Sequence, residues 1–177
     1  DLGRSTCLGA QTVMLHEIVQ RLYAGNYTFT NGAQIAAPHA LHVVLHGHGV
    51  GAAIAQREAA DFGDVDGLVL MSWSDTSTSS ADDAETNRQV GACRGSATYT
   101  SLGATAADFR RLLFADAPAR VVAKAVKKRG AVPCGDATTL RALRFASGSG
   151  ARGIDVPVLL QYGADDARLG AGAASRQ

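Results

Sequence analysis

Three glycines at alternate positions, Gly47, Gly49 and Gly51, follow the apolar run 43–45 and precede a stretch with helical character. Glycine allows a turn that would strain most side chains, and a helix that starts there points its N-terminal N–H groups at the turn. Two chemical devices share this spacing. One is the nucleophile elbow G-x-S-x-G, which the three glycines match except that Gly49 stands where serine is required. The other is the dinucleotide fingerprint G-x-G-x-x-G/A, completed by Ala52.

The elements that must position this turn form a strand–helix–strand unit. The run 43–45 within the predicted strand 41–46 is apolar without alternation, which predicts a parallel strand covered on both faces, and 67–72 is a second continuous apolar strand. Between them residues 52–62 predict a helix with small apolar residues on one side and 56–58 as its polar side. A third apolar run at 156–162 predicts a further parallel strand. We expect the sheet order 41–46, 67–72, 156–162, with the elbow strand at one edge and a right-handed crossover.

The remaining chain predicts helices around this sheet. The predicted helices span 11–24, 106–114, 118–128 and 136–146, whereas 1–9 and the serine-rich stretch 73–83 predict loops. The fold class is therefore α/β, a three-layer sandwich with helices on both sides of a parallel sheet. We expect one domain over 1–177, with 75–150 as a helical insertion between the second and third strands.

Composition excludes several classes of partner. The 177 residues are 46% hydrophobic and 19% charged, with a formal net charge of +1, so nothing favours nucleic acid or a membrane as a partner. No apolar run reaches the roughly 18 to 20 residues that cross a bilayer, and the N-terminus lacks the layout of a signal peptide. Cys7, Cys93 and Cys134 match no zinc motif. In an exported protein Cys93 and Cys134 are the pair to test for a disulfide, and free buried thiols are the alternative.

The third predicted strand favours the nucleophile elbow over the dinucleotide fingerprint. Residues 154–166, IDVPVLLQYGADD, resemble the acid-bearing segment of α/β-hydrolases, in which a strand ending in glycine delivers the triad carboxylate just beyond it. Residues 1–5 resemble the D-x-G-x-S loop of that family, 42–60 its elbow strand and helix, and 64–71 the strand that follows. The order of these segments is also that of the family.

The resemblance assigns roles to individual residues. Gly49 occupies the nucleophile position, the Val50 N–H matches an oxyanion donor, and His48 matches the histidine that commonly precedes the nucleophile. Asp166 matches the triad acid, with Asp165 as second choice. Intact relatives hydrolyse an ester, amide or similar acyl bond of a small molecule by a Ser-His-Asp mechanism, without a cofactor.

Two parts of that mechanism are missing here. Gly49 has no side chain to acylate, and every histidine lies at or before residue 48; they are His16, His39, His42, His46 and His48. We therefore expect the chain to be inactive. The resemblance implies further strands before residue 1 and a strand with the general base after residue 177, so the chain is expected to be cut at both ends. It also implies that 75–150 is a cap containing a Cys93–Cys134 bridge, that the exposed edge of the sheet favours self-association, and that the relatives include exported bacterial proteins.

Two other functions stay open from the sequence. The first is a non-catalytic binding protein that keeps the hydrolase fold. The second is dinucleotide binding through Gly47, Gly49 and Ala52, with Asp75 on the ribose.

Several further side chains could do chemistry, and for each a structural role is favoured. The remaining candidate nucleophiles are Ser5, Ser72, Ser74 and Cys7, which are expected to be loop residues because none of them occupies a strained turn ahead of a helix. The strand parity shared by His42, His46 and His48 could place them on one face for a metal. No carboxylate is expected to complete such a site, so we favour positions in the core or at its rim.

Overall fold

The structure is a computed structural model that describes residues 2–30, 32, 35–76, 78–145 and 151–169. In chain order its elements are α1 (Leu2–Ser5), α2 (Leu8–Ala24), β1 (Val44–His48), α3 (Val50–Phe62), β2 (Gly67–Met71), α4 (Ser80–Ala92), β3 (Tyr99–Ser101), α5 (Ala106–Leu113), α6 (Ala119–Lys127), β4 (Ala131–Pro133), α7 (Cys134–Phe145), a 3-10 helix (Ala151–Gly153) and β5 (Val158–Gln161). They fall into two compact units. The sheet unit comprises Gly9–Met71 and Ser149–Gln161, and the helical unit comprises Asp1–Leu8, Ser72–Gly148 and Tyr162–Gln177.

The sheet unit contains the predicted strand–helix–strand arrangement. Its three strands run parallel in the order β1-β2-β5, and β1 forms one edge of the sheet as described. The register places His46 beside Val69 and Val69 beside Leu159. The α/β class, the parallel sheet and the strand order predicted from the sequence are confirmed.

Only one face of this sheet is well buried. Leu45, Leu68 and Leu70 lie on the face against which α3 packs, and all three are buried. On the opposite face Val44 is 58% exposed and Leu159 is 54% exposed. The prediction of a strand covered on both faces was therefore wrong for β1, since an unbroken apolar run does not itself show that both faces are covered.

The polar side predicted for α3 is also buried in part. Arg57 is exposed, but Gln56 is 5% exposed and Glu58 is fully buried. α2 contacts this side of the helix through His16, whose ring stacks on Phe62 of α3 and whose Nδ1 lies 3.7 Å from Glu58 Oε1. Burial of a carboxyl group at this position is costly without a partner, so Glu58 calls for a specific explanation.

The helical unit is held together by covalent and polar contacts. Cys93 at the end of α4 forms a disulfide with Cys134 at the start of α7. The pair packs with Ala137 in a small core. The short strands β3 and β4 pair antiparallel beside it.

Two loop predictions were wrong in this unit. Residues 1–9 include α1 and the first two residues of α2, and 73–83 include the start of α4. The side chain of Ser79 caps α4 by accepting from the N–H of Asp82, so the serine-rich stretch is a helix start. Asp1, the first residue of the segment that resembles the D-x-G-x-S loop, lies outside the described residues.

Candidate functional site

The turn between β1 and α3 has an unusual backbone. Gly49 has φ 55° and ψ −119°, a conformation that L side chains enter only with strain, and its N–H donates to the carbonyl of Met71 at 2.9 Å. Met71 ends the neighbouring strand β2, so the turn is fixed to the sheet. The residue at this turn is thereby held at the carboxyl end of β1, directly ahead of a helix.

The glycines of this turn have different reasons to be glycine. A Cβ on Gly47 would lie 2.5 Å from the amide nitrogen of Ala52, so the strand and helix backbones approach too closely for any side chain there. A Cβ on Gly49 or on Gly51 would meet no atom within 4 Å. Space is therefore open for a side chain at position 49, where the backbone conformation is the only obstacle.

The first turn of α3 presents backbone donors beside Gly49. The N–H groups of Ala52 and Ala53 both donate to the Gly49 carbonyl, at 3.0 and 3.2 Å. Val50 is the first residue of the helix, so its N–H has no acceptor inside the helix. A negative oxygen placed near residue 49 would meet this N–H and the positive end of the helix dipole.

The histidines near the turn have other partners and do not form a metal cluster. His46 Nε2 lies 2.7 Å from Met71 Sδ, and His42 Nδ1 lies 3.1 Å from Asp66 Oδ1. His48, which the resemblance assigned to the position before the nucleophile, is exposed. The turn before β2 brings Asp66 to His42 alone, and among the described residues this pair is not part of a group of three potential metal ligands.

Asp66 is part of a small hydrogen-bonded network. It accepts from the Val43 N–H and the Tyr23 hydroxyl, both at 2.8 Å. The Val43 N–H is the main cause that lowers the pKa of Asp66 to about 2, followed by His42 and Tyr23. Burial, and then Asp66, raise the pKa of Tyr23 to about 12. These shifts keep the carboxylate charged and the phenol neutral, which suits a structural tie between α2 and β2.

The carboxylates proposed as the triad acid lie in the helical unit. Asp165 is exposed, and Asp166 is half-buried in a turn after β5, where its Oδ1 accepts from the Arg168 N–H at 2.9 Å. Asp75 also belongs to this unit. Burial, and then the Asp75 carboxylate, raise the pKa of Tyr162.

The other candidate nucleophiles occupy different surroundings. Ser72, directly after β2, has φ 47°, a left-handed backbone conformation that strains a serine. No helix follows it at once, since α4 begins at Ser80. Ser74 is buried and its Oγ accepts from the Thr76 N–H, Ser5 belongs to α1, and Cys7 is not part of the disulfide.

Comparison with known proteins adds no relative. No model of a protein family matches the chain, and no curated protein matches it. None of the helices in the described ranges combines the length and the apolar character needed to cross a bilayer. Functional reasoning therefore rests on the residues and geometry above.

Three residues with ligand chemistry were missed from the sequence. His16, Glu58 and Asp64 are the one group in the described part of the chain that brings three potential metal-ligand atoms within 4.8 Å of one another. The sequence signal for this group was Glu58, a carboxyl residue on the side of α3 that faces His16 of α2. It was not recognised because residues 56–58 were predicted to face solvent.

Proposed function

We propose that this chain is an α/β-hydrolase-type protein whose elbow has the form of an acyl-transfer site but lacks the nucleophile. In this form it binds small acyl compounds at the turn without cleaving them. The observation that carries the proposal is the backbone of Gly49, at φ 55° and ψ −119° between a parallel strand and a helix. A nucleophile elbow needs a strained strand-to-helix turn of this kind to expose its serine.

The glycine pattern supports this interpretation beyond the spacing of the motif. Close approach of Gly47 to Ala52 brings the helix start against the strand, and the open space at position 49 is where a serine hydroxyl would project. Gly47 and Ala52 serve a dinucleotide fingerprint equally well. The strained φ of Gly49 favours the elbow, whose nucleophile sits on a strained strand-to-helix turn. The open space beside Gly49 suits both devices, because a bound pyrophosphate would occupy it.

The chemistry expected of the turn is binding. Acyl transfer requires a hydroxyl to attack the carbonyl and a base to accept its proton. Gly49 supplies no hydroxyl, and the chain has no histidine after residue 48. The Val50 N–H would still donate to a carbonyl oxygen. The resemblance assigns Asp166 to the acid.

The proposal is tested by separating binding from turnover. Short-chain aryl esters should raise the melting temperature of the protein, while product release stays at the level of a heat-denatured control. Gly49→Val should abolish the thermal shift because it fills the space at the turn, whereas Gly51→Val, a matched change one step into the helix, should retain it. Ester turnover that tracks pure wild-type protein contradicts the proposal. A thermal shift with NAD and none with esters supports the dinucleotide alternative instead.

A further inference from the structure

Glu58 is a fully buried carboxyl group on α3 without a hydrogen-bond partner. Its exposed fraction is 0%, and within the described part of the chain neither Oε1 nor Oε2 has a donor in hydrogen-bonding geometry. A buried carboxyl group is normally paired, hydrogen-bonded or bound to a metal.

Two more ligand atoms converge on this carboxyl group. His16 Nδ1 lies 3.7 Å from Glu58 Oε1 and 2.9 Å from Asp64 Oδ2. Despite these distances, Nδ1 is a buried nitrogen without a hydrogen bond, because the angles are wrong for one. Asp64 Oδ1 is buried and without a partner as well. His16 Nδ1 thus lies at ion-pair distance from both carboxyl groups, and in the described part of the chain it forms no hydrogen bond with either.

The spacing suits a metal ion. Nitrogen and oxygen ligands about 2.0–2.2 Å from a tetrahedral zinc ion lie about 3.4 Å from one another. The two distances from His16 Nδ1 fall on either side of that value, and all three ligand atoms lie within 4.8 Å of one another. An adjustment of about 1 Å or less would bring them to coordination distance.

The local fold holds these groups in place. α3 ends at Phe62, and Gly63 takes the left-handed conformation at φ 63° and ψ 29°, which turns the chain so that Asp64 comes back beside Glu58. The Phe62 ring stacks on the His16 imidazole at 3.8 Å between centroids and fixes the ring plane. The Gln20 amide, one turn after His16 on α2, donates to Asp64 Oδ2, as an outer-shell group orients a metal ligand.

The charges favour a divalent cation. Among the described ion pairs, Glu58 and Asp64 have only His16 as a basic partner. Two carboxylates and a neutral imidazole carry two negative charges, which a divalent ion balances. The end of α3 adds the negative pole of a helix dipole. The ligand set is one nitrogen and two oxygens, without a thiolate. It favours a metal ion of intermediate hardness such as Zn²⁺ over the hard Ca²⁺ or the soft Cu⁺.

We propose that His16 Nδ1, Glu58 and Asp64 bind a divalent transition-metal ion that joins α2 to the end of α3. His16 and Asp64 are about one-fifth exposed, so the group lies near the surface of the sheet unit. The site belongs entirely to the sheet unit and does not depend on the activity of the elbow. Without a metal, the alternative is a protonated Glu58 that shares its proton with Asp64.

Metal binding is measured on the full chain, purified without a histidine tag and treated with a chelator. Equilibrium dialysis against Zn²⁺ should give one equivalent, and Co²⁺ should give a visible absorption band. Glu58→Gln and Asp64→Asn should each weaken binding by more than the 10- to 100-fold typical of losing an outer-shell partner, and Gln20→Ala by about that amount. Asp61→Asn, an exposed carboxylate of α3 paired with Arg57, is the matched control and should bind as wild type does.

The outcomes separate the two alternatives. Glu58→Gln retains shape and stays neutral, so it is expected to fold, and Asp64→Asn decides the question if it does not. Binding of one equivalent that is lost in both variants and retained in Asp61→Asn supports the site. Less than a tenth of an equivalent in the wild type overturns it, as does equal binding in the wild type and in a folded Asp64→Asn variant.

Discussion

Replacing each glycine of the elbow by alanine tests the geometry of the turn position by position. At Gly47 the new Cβ would lie 2.5 Å from the Ala52 nitrogen and the Gly51 oxygen. Both are backbone atoms that cannot rotate away, so the start of α3 must move, and we expect a loss of about 3 kcal/mol or more in the free energy of unfolding. At Gly49 the Cβ meets nothing, and the cost is backbone strain of about 1–3 kcal/mol.

Gly51 supplies the control in this series. It lies in α3 with open space around its Cβ, so Gly51→Ala should leave stability unchanged or raise it by up to about 1 kcal/mol. Urea unfolding followed by circular dichroism gives the three values, and hydrogen exchange of the α3 amides shows that the loss is local to the elbow. A Gly47→Ala variant as stable as wild type would refute the reasoning, and so would a series in which Gly51→Ala is the most damaging change.

Three predictions concern the helical unit. Replacing Cys93 and Cys134 by serine should lower its unfolding free energy by about 4 kcal/mol, since the bridge closes a loop with a sequence separation of 41; equal melting temperatures would contradict this. Arg168→Met should destabilise it by roughly 3 kcal/mol, as it removes the cation 2.6 Å from the buried Asp82, and Arg168→Lys should recover part of the loss in thermal melts. Asp108→Asn should lower the melting temperature at pH 7. Hydrogen bonds from Thr105 lower the pKa of Asp108 in the folded protein, so the charged carboxylate stabilises the fold above about pH 3.9, the pKa of an unfolded chain. The difference in melting temperature between Asp108→Asn and the wild type should therefore vanish as the pH falls below that value.

The sheet unit follows from simple sequence patterns. Continuous apolar runs around a glycine turn predict β1, α3 and β2, because a parallel strand and its crossover helix are both set by local residues. The third strand and the order of the sheet follow from the same argument. Exposure of Val44 and Leu159 did not follow, since it depends on what covers the second face of the sheet.

The helical unit shows where such patterns fail. The start of α4 was predicted as an exposed loop because 73–83 is serine-rich and acidic, yet Asp82 there and Glu85 in the next turn are buried. They are tolerated because partners distant in sequence satisfy them: Arg168 pairs with Asp82, and the Gly103 N–H donates to Glu85. Tertiary partners of this kind leave no periodic signal.

Of the two candidate sites, one is visible in the sequence and the other depends on tertiary contacts. The elbow depends on neighbouring residues and is visible as a motif, whereas the group around Glu58 needs α2 to lie over α3 and Gly63 to turn the chain. His16 lies more than forty residues before Glu58 in the sequence. No motif spacing links them, so only the structure brings the three ligands together.

The most direct test of the elbow is covalent labelling of a Gly49→Ser variant with a serine-directed fluorophosphonate, read by intact mass and peptide mapping. The wild type should remain unlabelled. Gly49→Ser alone should also remain unlabelled, because the hydroxyl has no base to accept its proton. Added imidazole should supply that base and produce labelling at position 49 that rises with its concentration, while Gly51→Ser under the same conditions stays unlabelled. Labelling of the wild type at another residue, or equal labelling of folded Gly49→Ser and Gly51→Ser variants, would contradict the account.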